Sequence, residues 1–357
     1  MNGAERLLAA CQGAPVDSTP VWFMRQAGGQ LPRYLALRKR HSVLEIARTP
    51  SLCAEVSAGA AEALGVDGAV LFADILLLVE AMGVTVELTD AGPVIASPIR
   101  DRAAIEGLRR MDTQADLGFV LEAIGLVRAA LGDRAAVIGI VGGPFTLAAY
   151  LLDGGPTRDQ LGARVLMYRD PEAWFALVDR LAEAARDYLV AQARAGAHVV
   201  QLFDTWAASL TPVEYERFVA PATRRILAAA PVPTIHSVAR CSPLLESVAA
   251  CGASVMAIDS RQPLDVARQR LGTRRPVQGN LDPALLLAGR AQARQGAHSV
   301  LEAAIGAGDG RGHIFGLGEA TPRETEPGAL RDLAAFVHDA SAGGALASHS
   351  EALDVPA

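Results

Sequence analysis

Two carboxylates stand directly after apolar runs, in Phe72-Ala73-Asp74 and Leu202-Phe203-Asp204. Other polar or glycine-rich groups recur in the same setting: Arg25-Gln26-Ala27-Gly28, Gly142-Gly143-Pro144, Asp204-Thr205, His236, Asp259, Gly279-Asn280 and Gly318-Glu319. In a barrel of alternating strands and helices the chemistry sits just past the strand ends, so these are the candidate functional residues. An aspartate at such a junction can equally cap the helix that follows. What is missing narrows the chemistry. Lys39 is the only lysine, and the other 32 of the 33 basic residues are arginine. It lies in Arg38-Lys39-Arg40-His41, which reads as a solvated helix face. A Schiff base needs a desolvated amine, and a P-loop needs a lysine behind its glycines. Class I aldolase, pyridoxal and P-loop chemistry are therefore not expected. The four cysteines, Cys11, Cys53, Cys241 and Cys251, form no CxxC pair, which fits a reducing cytosol.

The elements that position these groups follow from the hydrophobic pattern. Short β-rich runs recur at Val21–Met24, Ala69–Phe72, Ala136–Ile140, Val199–Phe203, Thr234–His236, Val255–Ile258, Pro276–Gln278 and His313–Gly316. Between them lie helix-favouring stretches such as Pro171 to Gly196, with apolar residues at helical spacing. Continuous apolar strands alternating with helices indicate a parallel sheet covered on both faces. Eight such units in about 300 residues predict an α/β fold of the (β/α)8 TIM-barrel type. It forms a single domain over residues 1–340. An open doubly wound sheet is the other solution, but no G-x-G-x-x-G follows the first strand. Residues 341–357 are small and polar without helical period, and read as a disordered tail. A net charge of −6 argues against a nucleic-acid-binding face. No apolar run approaches the roughly 18 uncharged residues of a membrane span. Leu8-Ala9-Ala10-Cys11 imitates a lipoprotein cleavage box. Its apolar stretch is short and Glu5 offsets Arg6, so a cytoplasmic protein is expected.

The segment Val21-Trp22-Phe23-Met24-Arg25-Gln26-Ala27-Gly28 resembles the N-terminal signature of the uroporphyrinogen decarboxylase family. The resemblance continues through Leu71-Phe72-Ala73-Asp74-Ile75-Leu76 and Ala81-Met82-Gly83-Val84, then Gly143-Pro144-Phe145-Thr146-Leu147-Ala148-Ala149-Tyr150. It recurs in Gln201-Leu202-Phe203-Asp204-Thr205-Trp206-Ala207, in Pro276-Val277-Gln278-Gly279-Asn280-Leu281-Asp282-Pro283 and in Gly312-His313-Ile314-Phe315. These segments stand in the family order. The resemblance implies a distorted (β/α)8 barrel and a homodimer, working without metal or organic cofactor. The reaction implied converts acetate side chains of a reduced tetrapyrrole to methyls, giving coproporphyrinogen for haem synthesis. It assigns Asp74 to the pyrrole nitrogens and the charged intermediate, and Arg25 to a substrate carboxylate and proton delivery. Tyr150 and Thr205 match substrate-contacting positions, and Gln26, Ala27 and Gly28 would line the cleft. The residue types suit the task. A protonated pyrrole is its own electron sink, a buried aspartate balances its charge, and arginine forks bind carboxylates.

Two positions depart from the family pattern. Where the family continues Arg-Gln-Ala-Gly-Arg-Tyr, this chain reads Arg25-Gln26-Ala27-Gly28-Gly29-Gln30, so Gly29 replaces the second arginine. Where the family has Asn-Leu-Gly-His-Gly, this chain reads Gly316-Leu317-Gly318-Glu319-Ala320, so Glu319 replaces a substrate-contacting histidine. A bare Glu319 repels acetate and propionate groups unless it is paired or protonated. Arg33, Arg240, Arg261 and Arg323 are possible replacements in sequence for the lost cation. Gly29 and Glu319 support an alternative, a diverged member acting on a less acidic substrate. A zinc-dependent corrinoid methyltransferase is a second alternative, but His236-Ser237-Val238 lacks the His-x-Cys pair. A non-catalytic tetrapyrrole carrier is a third. His236 and His313 read as structural, Asp204, Asp259 and Asp282 as caps or struts, and Trp22 and Trp206 as packing groups.

Overall fold

The computed structural model describes residues 1–26, 31–89, 92–306 and 310–344. Its strands are β1 (Gly68–Val70), β2 (Val86–Thr89), β3 (Gly92–Ile95), β4 (Ala136–Gly142), β5 (Val199–Phe203), β6 (Thr234–Ser237), β7 (Val255–Ala257), β8 (Val277–Gln278) and β9 (His313–Ile314). Seven of them form one parallel sheet in the order β1-β4-β5-β6-β7-β8-β9. Each corresponds to an expected run. The first expected strand, Val21–Met24, is reduced to a single parallel bridge between Val21 and Phe315, because the chain turns at residues 24–26. Its backbone is nonetheless bonded on both sides. Trp22 N–H donates to Phe315 O (3.2 Å), Phe315 N–H to Pro20 O (2.8 Å), and Asp67 N–H to Val21 O (2.8 Å). The antiparallel pair β2–β3 was not among the expected strands. Four residues a side are too few for an alternating pattern to stand out.

Strand alternation sorts the sheet's side chains into two layers. Val70, Ile138, Val199, Ile235, Val255 and Ile314 meet Trp22 in an inner cluster. Val137, Val200, Leu202, Met256 and Val277 face the helices. The first and last strands of the sheet share the inner cluster, so the sheet is curled around it. The helix Pro171–Ala195 shows how the outer layer is built. Asp170 accepts the Ala173 N–H at its start, and Gly196 at φ 115° ends it. Trp174, Leu177, Val178, Leu181, Ala185 and Leu189 are buried at three- and four-residue spacing. On the same face Gln192 accepts from Ile140 N–H (3.0 Å) and donates to Ile140 O (2.8 Å), docking the helix on β4.

At the N-terminal end of the sheet, buried Asp67 ties the chain ends to β1. It accepts from Arg6 Nη1 (2.6 Å) and Val21 N–H (2.7 Å), and pairs with His338 Nε2 (2.7 Å). Ser341 Oγ accepts from Thr19 N–H (2.8 Å), and Gly343 N–H donates to Asp17 O (2.9 Å). The expected tail thus starts with anchored residues, and 345–357 of it lie outside the described residues. No helix among the described residues is long and apolar enough to cross a membrane.

Candidate active site

The opposite, C-terminal end of the sheet gathers the expected chemistry. Past β1 the chain runs Leu71-Phe72-Ala73 to Asp74, whose Oδ1 accepts from Leu76 N–H (2.8 Å) at the entry to helix Leu77–Ala81. Asp74 thus closes a turn ahead of this helix rather than capping it, and it remains a site candidate: among the described residues its second oxygen carries no hydrogen bond. Burial pushes its carboxyl above the usual carboxylate range, while the Leu76 N–H and the Arg25 charge pull it back. Two residues of helix Pro50–Leu64 fix the approach to it, a role the sequence did not signal. Ser57 Oγ accepts from Phe72 N–H (2.8 Å) and donates to Cys53 O (2.8 Å). Cys53 Sγ donates to Phe72 O (3.3 Å). Burial pushes the Cys53 thiol up to about 12, so it stays protonated and donating.

Arg25 sits in the turn after the Val21 bridge, at φ 62°, a conformation uncommon outside glycine. Its side chain is exposed, and among the described residues it makes no hydrogen bond; its charge acts on Asp74 and Tyr150. Gln26 holds the turn. Its Oε1 accepts from Phe23 N–H (3.0 Å) and its Nε2 donates to Gly68 O on β1 (2.8 Å). At 1% exposure this side chain is turned into the protein, away from the cleft it was expected to line. Ala27, Gly28 and Gly29 lie outside the described residues.

Tyr150 comes from the helix Pro144–Asp153 that follows β4, and its ring lies 4.3 Å from that of Trp206. Burial, reinforced by Asp74, pushes its hydroxyl up to about 12, so it remains a donor at neutral pH. Buried Asp204 joins this helix to the loop past β5. Its Oδ1 accepts from Thr146 N–H (2.7 Å), and Thr146 Oγ1 accepts from Trp206 N–H (3.1 Å). Burial pushes the Asp204 acid up to about 6. Gly143 is required here, since a Cβ would overlap Asp204. Thr205, next in sequence, is exposed, with no side-chain hydrogen bond among the described residues.

Glu319 is paired. Its Oε1 accepts from Arg261 Nη1 (2.9 Å) and its Oε2 from Ser260 Oγ (3.1 Å). Of the arginines available in sequence, Arg33 is committed to Glu55 (2.8 Å). Asp259, Asp282 and His313 have hydrogen-bond partners, whereas neither ring nitrogen of His236, expected to be hydrogen-bonded, has one among the described residues. Asp259 accepts from Cys241 N–H and Arg261 N–H, and Asp282 caps the helix Pro283–Ala288. His313 Nε2 bonds Gly279 O (2.7 Å). His236 is fully buried, and burial lowers its pKa to about 4. A cavity of about 610 Å³ beside Arg261 is lined by Ser260, Gln262, Asn280, Gln295 and Ser299 among others; Asp74, Tyr150 and Thr205 do not border it.

The sequence matches the family described as Uroporphyrinogen decarboxylase (URO-D) over residues 2–340. The uroporphyrinogen decarboxylase of Sorangium cellulosum is 46% identical over 338 residues, covering 94% of this chain and 96% of that protein. That of Streptomyces coelicolor is 44% identical over 335 residues, covering 93% of each. Among solved structures, a methyltransferase from Methanosarcina mazei superposes with a TM-score of 0.81 at 22% identity, covering 95% of this chain and 99% of that one. At that identity the likeness bears on the fold alone.

Proposed function

The chain belongs to the uroporphyrinogen decarboxylase family, and on that footing we propose that it converts the acetate side chains of uroporphyrinogen to methyls, yielding coproporphyrinogen. The observation that carries the reading for this site is the convergence of Asp74, Arg25 and Tyr150, with one Asp74 oxygen carrying no hydrogen bond among the described residues. A proton added to a pyrrole carbon makes the ring a cation. The bond to the acetate carboxyl then breaks, carbon dioxide leaves, and the bonding electrons return to the ring. A second proton on the exocyclic carbon makes the methyl, and the proton first added to the ring carbon then leaves to restore the aromatic pyrrole, so one proton is taken up in all and no external electron sink is needed.

Each residue has a task in this scheme. The second Asp74 oxygen accepts pyrrole N–H bonds and balances the cation. At about 4 Å and an effective dielectric near 20, such a pairing is worth about 4 kcal/mol. Expressed in the transition state, that is roughly a thousandfold in rate. Arg25 offers an exposed guanidinium to a substrate carboxylate. Tyr150, protonated at neutral pH, and the exposed Thr205 hydroxyl supply further donors to the substrate. The ion pair of Glu319 with Arg261 removes the bare anion that had favoured a less acidic substrate.

We also read the Pro20–Phe23 segment as the eighth stave of a barrel. Its bonds to Phe315 on one side and Asp67 on the other bridge β9 and β1. On this reading residues 1–340 form one (β/α)8 domain, working as a cytoplasmic homodimer, as the resemblance implies. The functional test is incubation of the purified protein with uroporphyrinogen III under reducing, anaerobic conditions, followed by chromatography of the products. Coproporphyrinogen is expected; unreacted substrate at high enzyme concentration would overturn the reading.

A further inference from the structure

The loop past β9 links the Arg25 turn to the loop past β7. Thr321 donates twice to Met24 O, from its N–H and its Oγ1 (2.9 Å each), which fastens the loop past β9 to the Arg25 turn. The loop past β7 joins them. Gly318 packs so closely on Ser260 that a Cβ would overlap the Ser260 backbone nitrogen. Ser260 Oγ and Arg261 Nη1 then take one oxygen each of Glu319 (3.1 and 2.9 Å). Arg261 is anchored through its main chain as well, its N–H donating to the buried Asp259 Oδ1 (3.0 Å). Yet the Arg261 side chain is 57% exposed, and among the described residues Glu319 is the one group its guanidinium bonds. Its other donors are therefore open to a ligand, on an arm already fixed in place. A pre-oriented guanidinium loses less freedom on binding a carboxylate than a free one does.

We propose that Arg261 is a specificity-determining residue of this enzyme: it binds a side-chain carboxylate of the tetrapyrrole, while Glu319 and Ser260 hold its guanidinium in position. The proposal rests on the decarboxylase reading and deepens it. It gives the acid at position 319 a purpose, since Glu319 orients a cation rather than opposing the substrate. A cation that only neutralised Glu319 would look the same in the free protein. The two roles separate when both charges are removed, because a neutraliser is then no longer needed whereas a lost contact is still missing.

The experiment measures kcat and KM for uroporphyrinogen, and Kd for the stable oxidised octa-acid uroporphyrin, in R261Q, R261K and the double variant R261Q/E319Q. Loss of a charged hydrogen bond predicts that R261Q raises KM and Kd about tenfold while kcat stays within about threefold. R261K should recover part of the affinity. The double variant should remain weaker than wild type by about fivefold or more. Recovery of the double variant to wild-type Kd would reduce Arg261 to a neutraliser and overturn the proposal, as would an unchanged R261Q. Should the wild-type protein bind uroporphyrin without turning uroporphyrinogen over, the decarboxylase reading fails while the Kd series still decides the role of Arg261. Absence of uroporphyrin binding by the wild type overturns the proposal too.

Discussion

Replacing Ser57 by alanine should damage catalysis from a distance. Ser57 has 0% exposure, and its hydroxyl both donates to Cys53 O and accepts from Phe72 N–H, at 2.8 Å each. The S57A variant leaves the Phe72 N–H without its partner, which costs about 1–3 kcal/mol of stability. Phe72 is two residues from Asp74, so the released backbone loosens the carboxylate. A misplacement of about 1 Å can cost on the order of a hundredfold in rate. Cys53 still donates to Phe72 O (3.3 Å), so the strand end stays half-tethered. The expected loss in kcat is therefore nearer about tenfold, with KM within about twofold. Denaturant unfolding and steady-state kinetics on the same preparation read both numbers. A stability loss of the expected size with kcat unchanged would show that the Phe72 clamp does not position Asp74.

Asp204→Asn should alter the pH dependence of stability. Burial holds this acid at about 6 in the folded chain against an ordinary 3.8. The folded protein binds the proton more tightly, so the stabilisation is present below 3.8 and lost as pH rises through 6. The difference is worth about 3 kcal/mol. The neutral variant should thus gain on wild type by up to about 3 kcal/mol between pH 4 and 7; a stability difference independent of pH would contradict the buried acid. Gly143→Ala places a methyl on Asp204 and should destabilise by about 1–3 kcal/mol or more. A melting temperature equal to wild type would refute the tight packing of these two loops.

The sequence carried the strand ends well because burial on both faces leaves unbroken apolar runs such as Ala136-Val137-Ile138-Gly139-Ile140-Val141. Asp74 was legible for the same reason: an acid directly after such a run has few places to point. Three things were not legible. Ser57 and Cys53 lie on an ordinary amphipathic helix, and their contact with Phe72 exists only once the helix docks. Gln26 sits within a motif of site residues, but backbone groups at Phe23 beside the turn and at Gly68 on β1 claim its amide. For Glu319 no partner was legible, and Arg261 was one of four arginines that could replace the missing cation. The close approach of Gly318 to Ser260, a tertiary contact, selects Arg261.

The central claim is that the Asp74 carboxylate makes a cationic pyrrole tolerable. Asp74→Asn tests it with little disturbance of the fold, because the asparagine oxygen can still accept the Leu76 N–H that Oδ1 accepts now. The decisive measurement is kcat for uroporphyrinogen in this variant, alongside its melting temperature. The account predicts a fall of about a thousandfold with the melting temperature near wild type. A kcat within a few-fold of wild type would contradict it.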